Sequence, residues 1–290
     1  MTMYDPILLR SFVAVIEHGG FTRASQALHL TQSTVSQHLR RLEEDVGHSL
    51  IDRSGTRPTT TEAGERLFGY ARRLLALGAE ARAAMDGTPT QETVRLGVPE
   101  DFGGRLLTPV LAAFARQWGS GLRLEVTTGL GPQLLAAYER GEYDLVLAKQ
   151  RHARAVQAWR EPLAWLDSRR HPCLSRSSVP VAVFPEGGLY REELFGWLDA
   201  QRCRWHVAYV SPQLASLQAA VADGLGLSLL PRRAALPAHR ILGPRDGAPA
   251  APHVWLALHH PAGASPATLA LAERLAQRCA KLARAPSKTP

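Results

Sequence analysis

The chain has 290 residues, of which 45% are hydrophobic, enough to fill the core of one large domain or those of two to three smaller ones. Its 34 basic and 26 acidic residues give a formal net charge of +8, which is compatible with a nucleic-acid partner. The three widely spaced cysteines form no CxxC pair, no apolar run reaches membrane-spanning length, and we expect no signal sequence because the first predicted helix carries Arg10 and Glu17. These features exclude a disulfide-rich secreted domain and a helical membrane protein, and we expect a cytoplasmic protein.

The first 41 residues predict three helices. Residues 5–18 form the first, with an inner face of Leu8, Phe12, Val15 and Ile16, and Gly19-Gly20 ends it. The stretch Phe21–Arg41 then predicts two short helices. The first carries an apolar stripe of Phe21, Ala24, Ala27 and Leu28. His29-Leu30 forms the turn, Thr31 caps the second helix, and its inner face is Val35, Leu39 and Leu42.

The outer face of that second helix is polar, and its members are Gln32, Ser33, Ser36, Gln37 and Arg40. Glutamine, serine and arginine can hydrogen-bond to base edges or phosphates in the major groove. The pattern therefore favours DNA reading, and the alternative is an ordinary polar surface of a small helical domain.

A short hairpin follows at residues 50–60, with Arg53 and Arg57 on either side of its Ser54-Gly55-Thr56 turn. We call this hairpin the wing. Arginines on a wing can enter the minor groove or hold phosphates, whereas the alternative is a solvated turn.

A long helix is predicted from Thr61, its cap, to Met85. Its apolar positions follow heptad-like steps, at Leu67, Ala71, Leu74, Gly78, Ala81 and Met85. A partner helix would cover such a narrow stripe, which predicts a dimer with two DNA readers. The alternative is packing against the helix's own chain.

After a linker at 86–90, strands and helices alternate, with a break near 162–178 that indicates two lobes of α/β type. The predicted strands are 94–98, 122–127, 143–149, 161–167, 179–184, 205–210, 227–231 and 253–260. The predicted helices are 104–118, 132–141, 190–201, 211–224 and 265–282.

The sequence resembles the LysR-type transcriptional regulators over essentially its full length. The strongest match runs from SFVAVIEHGGFTRASQALHLTQSTVSQHLRRLEEDVGHSLIDR to RPTTTEAGERL. Weaker matches are VRLGV, LLAAYERGEYDLVLA, EPLAW and SLQAAVADGLGLSLLP, and VAVFPEGGLYR is most similar to the branch of motility and exoenzyme repressors. Gly20 departs from the serine cap of many relatives.

The resemblance implies an α+β multidomain chain: a winged helix-turn-helix at 1–60, a dimerising linker helix at 61–87, and a two-lobed, periplasmic-binding-protein-like effector domain at 88–290. Lobe 1 would comprise about 92–162 and 265–290, and lobe 2 about 163–264. It also implies a dimer of dimers on double-stranded promoter DNA, bent in response to a small-molecule effector. The implied DNA contacts are Thr31, Gln32, Ser33, Thr34, Ser36, Gln37, Arg53 and Arg57, and the polar outer face adds Arg40.

Ligands of α/β lobes bind at the carboxyl ends of strands and at helix N-termini. Here those positions are Pro99-Glu100-Asp101, Thr128-Gly129-Leu130-Gly131, Lys149, Pro185-Glu186 and Ser211-Pro212-Gln213. Lys149 is one of three lysines, and we hypothesise that it binds an anionic group of the effector, such as a carboxylate. The alternative is a salt bridge from Lys149 to Glu100 or Asp101.

Two other functions compete with this interpretation. A catalytic α/β domain is disfavoured because GLGPQL at 129–134 lacks the third glycine of a dinucleotide site, and GxxxxGK[ST], GxSxG and HExxH do not occur. We therefore expect no enzyme activity, no cofactor and no metal site, and we interpret His259-His260 as structural. A redox-sensing regulator would be expected to carry a cysteine near Gly188-Leu189, and none is there, although Cys173 and Cys203 could still pair.

Overall fold

A computed structural model describes residues 4–54, 58–85 and 92–284. The chain divides into two compact units, Met1–Glu92 with Ala136–Glu142, and Thr93–Leu135 with Tyr143–Pro290. The tip of the wing, with Arg57, and the linker at 86–90 lie outside the described residues.

The first unit is built from helices α1 to α4 and a two-stranded wing. Its elements are α1 (Pro6–Glu17), α2 (Phe21–Leu28), α3 (Gln32–Val46), β1 (Ile51–Asp52), β2 (Thr59–Thr60) and α4 (Glu62–Met85). The strands pair antiparallel, Ile51 with Thr60 and Asp52 with Thr59. Phe12 and the three predicted inner residues of α3 are fully buried in its core. On α2 the prediction was partly wrong, because Ala27 is exposed and Ser25 is buried in its place, its hydroxyl donating to the Thr22 carbonyl at 2.9 Å.

Helix α4 begins where the sequence predicts, since the Thr61 hydroxyl accepts from the backbone N–H of Gly64 at 3.0 Å. The predicted heptad stripe was wrong in its N-terminal half. Ala71 is buried in the core of the first unit and Leu67 packs against that core. The uncovered apolar side chains lie one step round the helix, at Tyr70, Leu74, Leu77 and Met85. We call these four the exposed stripe of α4.

The second unit alternates strands and helices. Its strands are β3 (Glu92–Pro99), β4 (Leu122–Gly129), β5 (Leu145–Gln150), β6 (Gln157–Ser168), β7 (Val179–Val183), β8 (Trp205–Val210), β9 (Ser228–Pro231), β10 (His239–Leu242) and β11 (His253–His259). Its helices are α5 (Thr108–Trp118), the first half of α6 (Gly131–Glu139), α7 (Leu189–Ala200), α8 (Leu214–Ala222) and α9 (Pro266–Arg284), and α6 from Ala136 onward groups with the first unit. Strand β10 was missed by the sequence analysis, and α5 begins four residues later than predicted.

Strand β6 connects two lobes. Its first half, up to Pro162, pairs with β11, and its second half, from Leu163, pairs with β9 and β10. One core contains Phe102, Phe114 and Leu275 under the β4-β3-β5-β11 side of the sheet. The other contains Trp165 and Leu198. We keep the names lobe 1 and lobe 2 for these two halves.

The predicted end of lobe 2 at residue 264 was wrong. Strand β11 pairs antiparallel with β5, with Ala257 opposite Ala148, so it belongs to lobe 1. The chain therefore returns to lobe 1 before β11. An antiparallel strand that reinforces the edge of a parallel pair has no distinct sequence pattern, because both kinds of buried strand are simply apolar.

Candidate functional site

The turn between α2 and α3 fixes the direction of the candidate DNA-reading helix. His29 adopts a left-handed conformation with φ 55°, and the N–H of Leu30 donates to the Ser25 carbonyl at 2.9 Å. The hydroxyl of Thr31 then accepts from the backbone N–H of Thr34 at 3.1 Å, which confirms the predicted N-cap. Helix α3 therefore starts at a defined residue, with its first turn in a defined orientation.

The burial of the inner face of α3 determines which side of the helix is exposed. Val35, Leu39 and Leu42 are fully buried, so the opposite side of the helix must face solvent. Five of the predicted contact residues there are exposed and two are half-buried. The exposed ones are Thr31, Gln32, Ser33, Gln37 and Arg40, and the half-buried ones are Thr34 and Ser36. This face can offer amide, hydroxyl and guanidinium groups to a major groove.

Glu43 anchors the wing, and the sequence analysis missed it. One carboxylate oxygen accepts from the backbone N–H of Leu50 at 2.8 Å and of Ile51 at 3.2 Å. The other oxygen is 3.3 Å from the guanidinium of Arg53, which also lies 5.3 Å from the ring centroid of Phe21. Arg53 is therefore held at the base of the wing beside α3, while Arg57 lies outside the described residues. No local pattern marks Glu43, because its partners are backbone groups seven and eight residues away.

A second candidate site is a cavity between the lobes of the second unit. Its volume is about 30 Å³. All the empty space between its walls, including the part that is open to solvent, amounts to about 370 Å³. Its lining consists of Pro99, Glu100, Asp101, Gly129, Leu130, Gly131, Lys149, Phe184, Gly188, Leu189 and Tyr190. A cavity of about 30 Å³ holds about two water molecules. An effector must therefore widen the cleft to enter it.

Seven predicted effector residues line this cavity, but others do not. Thr128, Pro185 and Ser211 are absent from its lining. The carbonyl of Pro185 accepts from the N–H of Gly188 at 3.2 Å, and the hydroxyl of Ser211 accepts from the N–H of Gln213 at 3.2 Å, so both residues shape the chain. Sequence reasoning missed Phe184 and the start of α7, although the GGLY segment before a helix is a signal that could have found it.

The side chain of Lys149 forms ion pairs within its own chain, as the salt-bridge alternative predicted. Its ammonium forms an ion pair with Asp101, a second with Glu161 at 2.7 Å, and a hydrogen bond to the Tyr190 hydroxyl. Arg233 pairs with Glu161 and donates to the main-chain carbonyl of Asp101 at 2.7 Å. We call these five residues the ion cluster. Two of its members, Tyr190 and Arg233, come from lobe 2, so the cluster also joins the lobes.

Burial and charge act against each other in the ion cluster. Burial would raise the pKa of Asp101, but the positive charges of Lys149 and Arg233 outweigh it and the pKa is lowered. Burial and the neighbouring carboxylates of Asp101 and Glu161 raise the pKa of Tyr190 well above its usual value. At neutral pH Asp101 is therefore a carboxylate and Tyr190 a neutral phenol.

The three cysteines are free thiols. Burial is the main cause that raises the pKa of Cys279, to about 12, and burial also raises the pKa of Cys173. Only Cys203 is partly exposed. A thiol with a raised pKa is a poor nucleophile at neutral pH, so the two buried residues are poorly suited to peroxide sensing.

In the described ranges no group of three or more His, Cys, Asp or Glu side chains is placed to hold a metal ion. Among the same residues, no helix combines the length and apolar character needed to cross a bilayer.

Comparison with known proteins covers both units. Residues 7–65 match the family described as bacterial regulatory helix-turn-helix protein, lysR family, and residues 87–280 match the LysR substrate binding domain. The transcriptional regulator PecT of Dickeya dadantii is 30% identical over 250 residues, which cover 86% of this chain and 79% of that protein. A probable hydrogen peroxide-inducible genes activator of Mycobacterium avium is 32% identical over 257 residues, which cover 80% of this chain and 79% of that protein.

A solved structure shares the whole fold. The full-length regulator LysG of Corynebacterium glutamicum, with bound effector Arg, has a TM-score of 0.71 and 22% identity, over 96% of this chain and 99% of that one. At that identity the likeness concerns the fold alone. The two family matches span the helix-turn-helix and most of the second unit. The chain therefore belongs to the LysR family of DNA-binding transcriptional regulators, with an effector-binding domain of the LysR substrate-binding type.

Proposed function

We propose that the chain reads promoter DNA with the outer face of α3 and holds the adjacent backbone with the wing. The observation that carries this proposal is the exposed row of Gln32, Ser33, Gln37 and Arg40, fixed opposite three fully buried residues. Glutamine can bond bidentately to adenine, and arginine to guanine or phosphate. Arg53, beside Glu43, would supply a phosphate or minor-groove contact from the wing.

The reading unit would work in pairs. Leu74, Leu77 and Met85 on the exposed stripe of α4 are 47%, 62% and 85% exposed, although they are apolar and recur at helical spacing. A second copy of α4 offers the same stripe and would cover it, in the manner of a short coiled coil. Such a dimer would present two copies of α3 to two half-sites. By family resemblance, dimers would pair further into tetramers that bend the promoter.

Effector control would come from the cavity in the second unit. The ion cluster ties Asp101 and Lys149 of lobe 1 to Tyr190 and Arg233 of lobe 2, and the cavity between them is too small for a metabolite. A ligand that binds a wider cleft more tightly would shift the lobes toward that form. That shift would pass from the effector domain that we propose at 88–290, through the linker helix at 61–87, to the DNA-binding domain at 1–60, and would alter promoter binding there.

The effector would not rely on Lys149 for its anionic group. The charge of that ammonium is already balanced by Asp101 and Glu161, so an incoming anion would compete with two buried carboxylates. The backbone N–H groups at the start of α6 and α7, which also line the cavity, are the better anion donors.

A redox-sensing function is the second candidate, and the similarity to the Mycobacterium avium activator favours it. The buried state of Cys173 and Cys279 argues against it. We therefore propose the ligand-controlled regulator, and no enzyme activity.

The DNA-reading proposal can be tested without knowing the promoter. The full-length protein would select binding sequences from a random DNA pool, and the enriched site would then be titrated in gel-shift assays. We expect Gln37→Ala to weaken binding of that site roughly 10-fold, because a bidentate base contact contributes about 1–3 kcal/mol. Gln26→Ala, an exposed glutamine on α2, is the matched control and should bind as the wild type does. Absence of an enriched sequence, or equal affinity of Gln37→Ala and Gln26→Ala, would overturn the proposal.

A further inference from the structure

On one wall of the cavity of the second unit, a buried carboxylate oxygen has an unmet need for a hydrogen-bond donor. Asp101 is 6% exposed, and its Oδ1 has no hydrogen-bond partner among the described residues. The nearest positive group, the Arg233 guanidinium, is 3.7 Å from that atom. Lys149 cannot meet the need, because its ammonium is already shared by the other carboxylate oxygen of Asp101, by Glu161 and by Tyr190.

The same wall carries a second carboxylate. Glu100 lines the cavity and is half-buried, and it forms no ion pair within the described part of the chain. Glu100 and Asp101 are neighbours after β3. Glu100 and the ion cluster together carry three carboxylates against the two cations Lys149 and Arg233, so this wall has one negative charge in excess and a ligand ammonium is the complementary group.

The other walls offer donors for an anion. Helix α7 has 12 residues, begins at Leu189 and has Gly188 as its N-cap, and no side chain of the described residues caps its first N–H groups. Gly131 starts α6 against the Lys149 carbonyl, where a Cβ atom would lie 2.0 Å from the oxygen, so only glycine allows this approach. Helix N-termini with free N–H groups favour carboxylate or phosphate.

The remaining lining is apolar and the space is small. Leu130, Phe184 and Leu189 line the cavity, and its volume is about 30 Å³. A ligand for this site therefore combines an ammonium, a carboxylate a few bonds away and a compact apolar group.

We infer that the effector is a small zwitterion of the α-amino acid class, with its ammonium at Glu100 and Asp101 and its carboxylate at the N-terminus of α7. This inference rests on the proposed effector function of the cavity and specifies its chemistry. It also replaces the earlier hypothesis in which Lys149 binds an anion. Because the cavity must widen, the same ligand would loosen the contacts of Tyr190 with Lys149 and Asp101.

The test is calorimetric titration of the full-length protein with three matched series. These are the twenty natural L-amino acids, their des-amino carboxylic acids, and their decarboxylated amines. We expect at least one amino acid to bind 10-fold or more tightly than both of its matched analogues. In Glu100→Gln the affinity for that amino acid should fall about 10-fold, while that for the des-amino acid stays unchanged, because only the ammonium loses a charge-assisted hydrogen bond. Glu273→Gln, an exposed glutamate on α9, is the control and should bind as the wild type does.

Three results would overturn the inference. They are the absence of binding by any of the twenty amino acids, a des-amino acid that binds as tightly as its parent, and equal affinities of Glu100→Gln and Glu273→Gln. Gel shifts on the selected DNA site separate this failure from failure of the proposed function. A ligand without an ammonium that changes DNA affinity would refute the amino-acid class and keep the effector function. An amino acid that binds as expected but leaves DNA affinity unchanged would keep the class and refute the regulatory role.

Discussion

Replacing Lys149 by methionine tests whether this residue holds the second unit together. The side chain is almost fully buried, and its ammonium lies between the carboxylates of Asp101 and Glu161, which are buried as well. Methionine keeps most of the volume but removes the charge, so two buried carboxylates would share Arg233 alone. Removing one partner of a buried ion pair costs about 3–5 kcal/mol. We expect about 3 kcal/mol, at the lower end, because Arg233 remains.

Urea unfolding followed by tryptophan fluorescence measures this change. The rings of Trp165 and Trp197 pack at a tilt of 41°, with centroids 4.7 Å apart, in the core of lobe 2, so their emission reports on loss of that core. A loss of 3 kcal/mol corresponds to a fall in Tm of roughly 6–12 °C for a domain of this size. Lys281→Met, on the exposed face of α9, is the control and should change stability by less than about 0.5 kcal/mol.

A second substitution makes the reasoning refutable. Asp101→Asn in the Lys149→Met background removes one of the two carboxylates that share Arg233 and leaves the pair of Glu161 and Arg233. We expect it to recover about 1 kcal/mol or more, whereas Asp101→Asn alone should destabilise the protein. If Lys149→Met unfolds at the same urea concentration as Lys281→Met, or if the two changes at 149 and 101 are simply additive, Lys149 is not a structural counter-ion.

Three further predictions concern other parts of the chain. Leu77→Glu on the exposed stripe of α4 should dissociate the dimer, as measured by sedimentation velocity, while Ala79→Glu on another face of that helix should not. Equal sedimentation of the two variants would contradict the proposed pairing. Burial lowers the pKa of His239, so the folded state binds fewer protons than the unfolded state. The stability that neutral His239 contributes is therefore present above the unfolded pKa of about 6.5 and should be lost as the pH falls below it. His239→Gln should flatten that fall in urea titrations between pH 7.5 and 5.5, and an unchanged slope would refute the assignment. Iodoacetamide at pH 7.5, followed by mass spectrometry of peptides, should label Cys203 well before Cys173 and Cys279, and equal rates would reopen the redox alternative.

Much of the reading unit could be predicted from sequence because local rules govern it. The cap at Thr31, the inner face of α3 and the cap of α4 at Thr61 each depend on residues three or four apart, and all three predictions were confirmed. The face of α4 could not be predicted in the same way. Its apolar residues lie on more than one stripe, and the first unit covers the one with Leu67 and Ala71. Only packing shows which stripe is left for a partner.

The cavity was likewise predicted in part from the sequence and decided in part by the tertiary structure. The carboxyl ends of strands β3 and β5 predicted Asp101 and Lys149 correctly as lining residues, because a parallel sheet places such ends along one edge. The state of Lys149 was decided by folding. Asp101 is 48 residues from Lys149 in sequence, and Arg233 is 132 residues from Asp101. By itself the sequence determined the family, the helices with their caps, and the strand ends at which a ligand could bind, because short-range hydrogen bonding and periodic burial set these features. The tertiary structure alone decided which charges neutralise one another and which remain for a ligand, because those distances are set only when the two lobes close on strand β6.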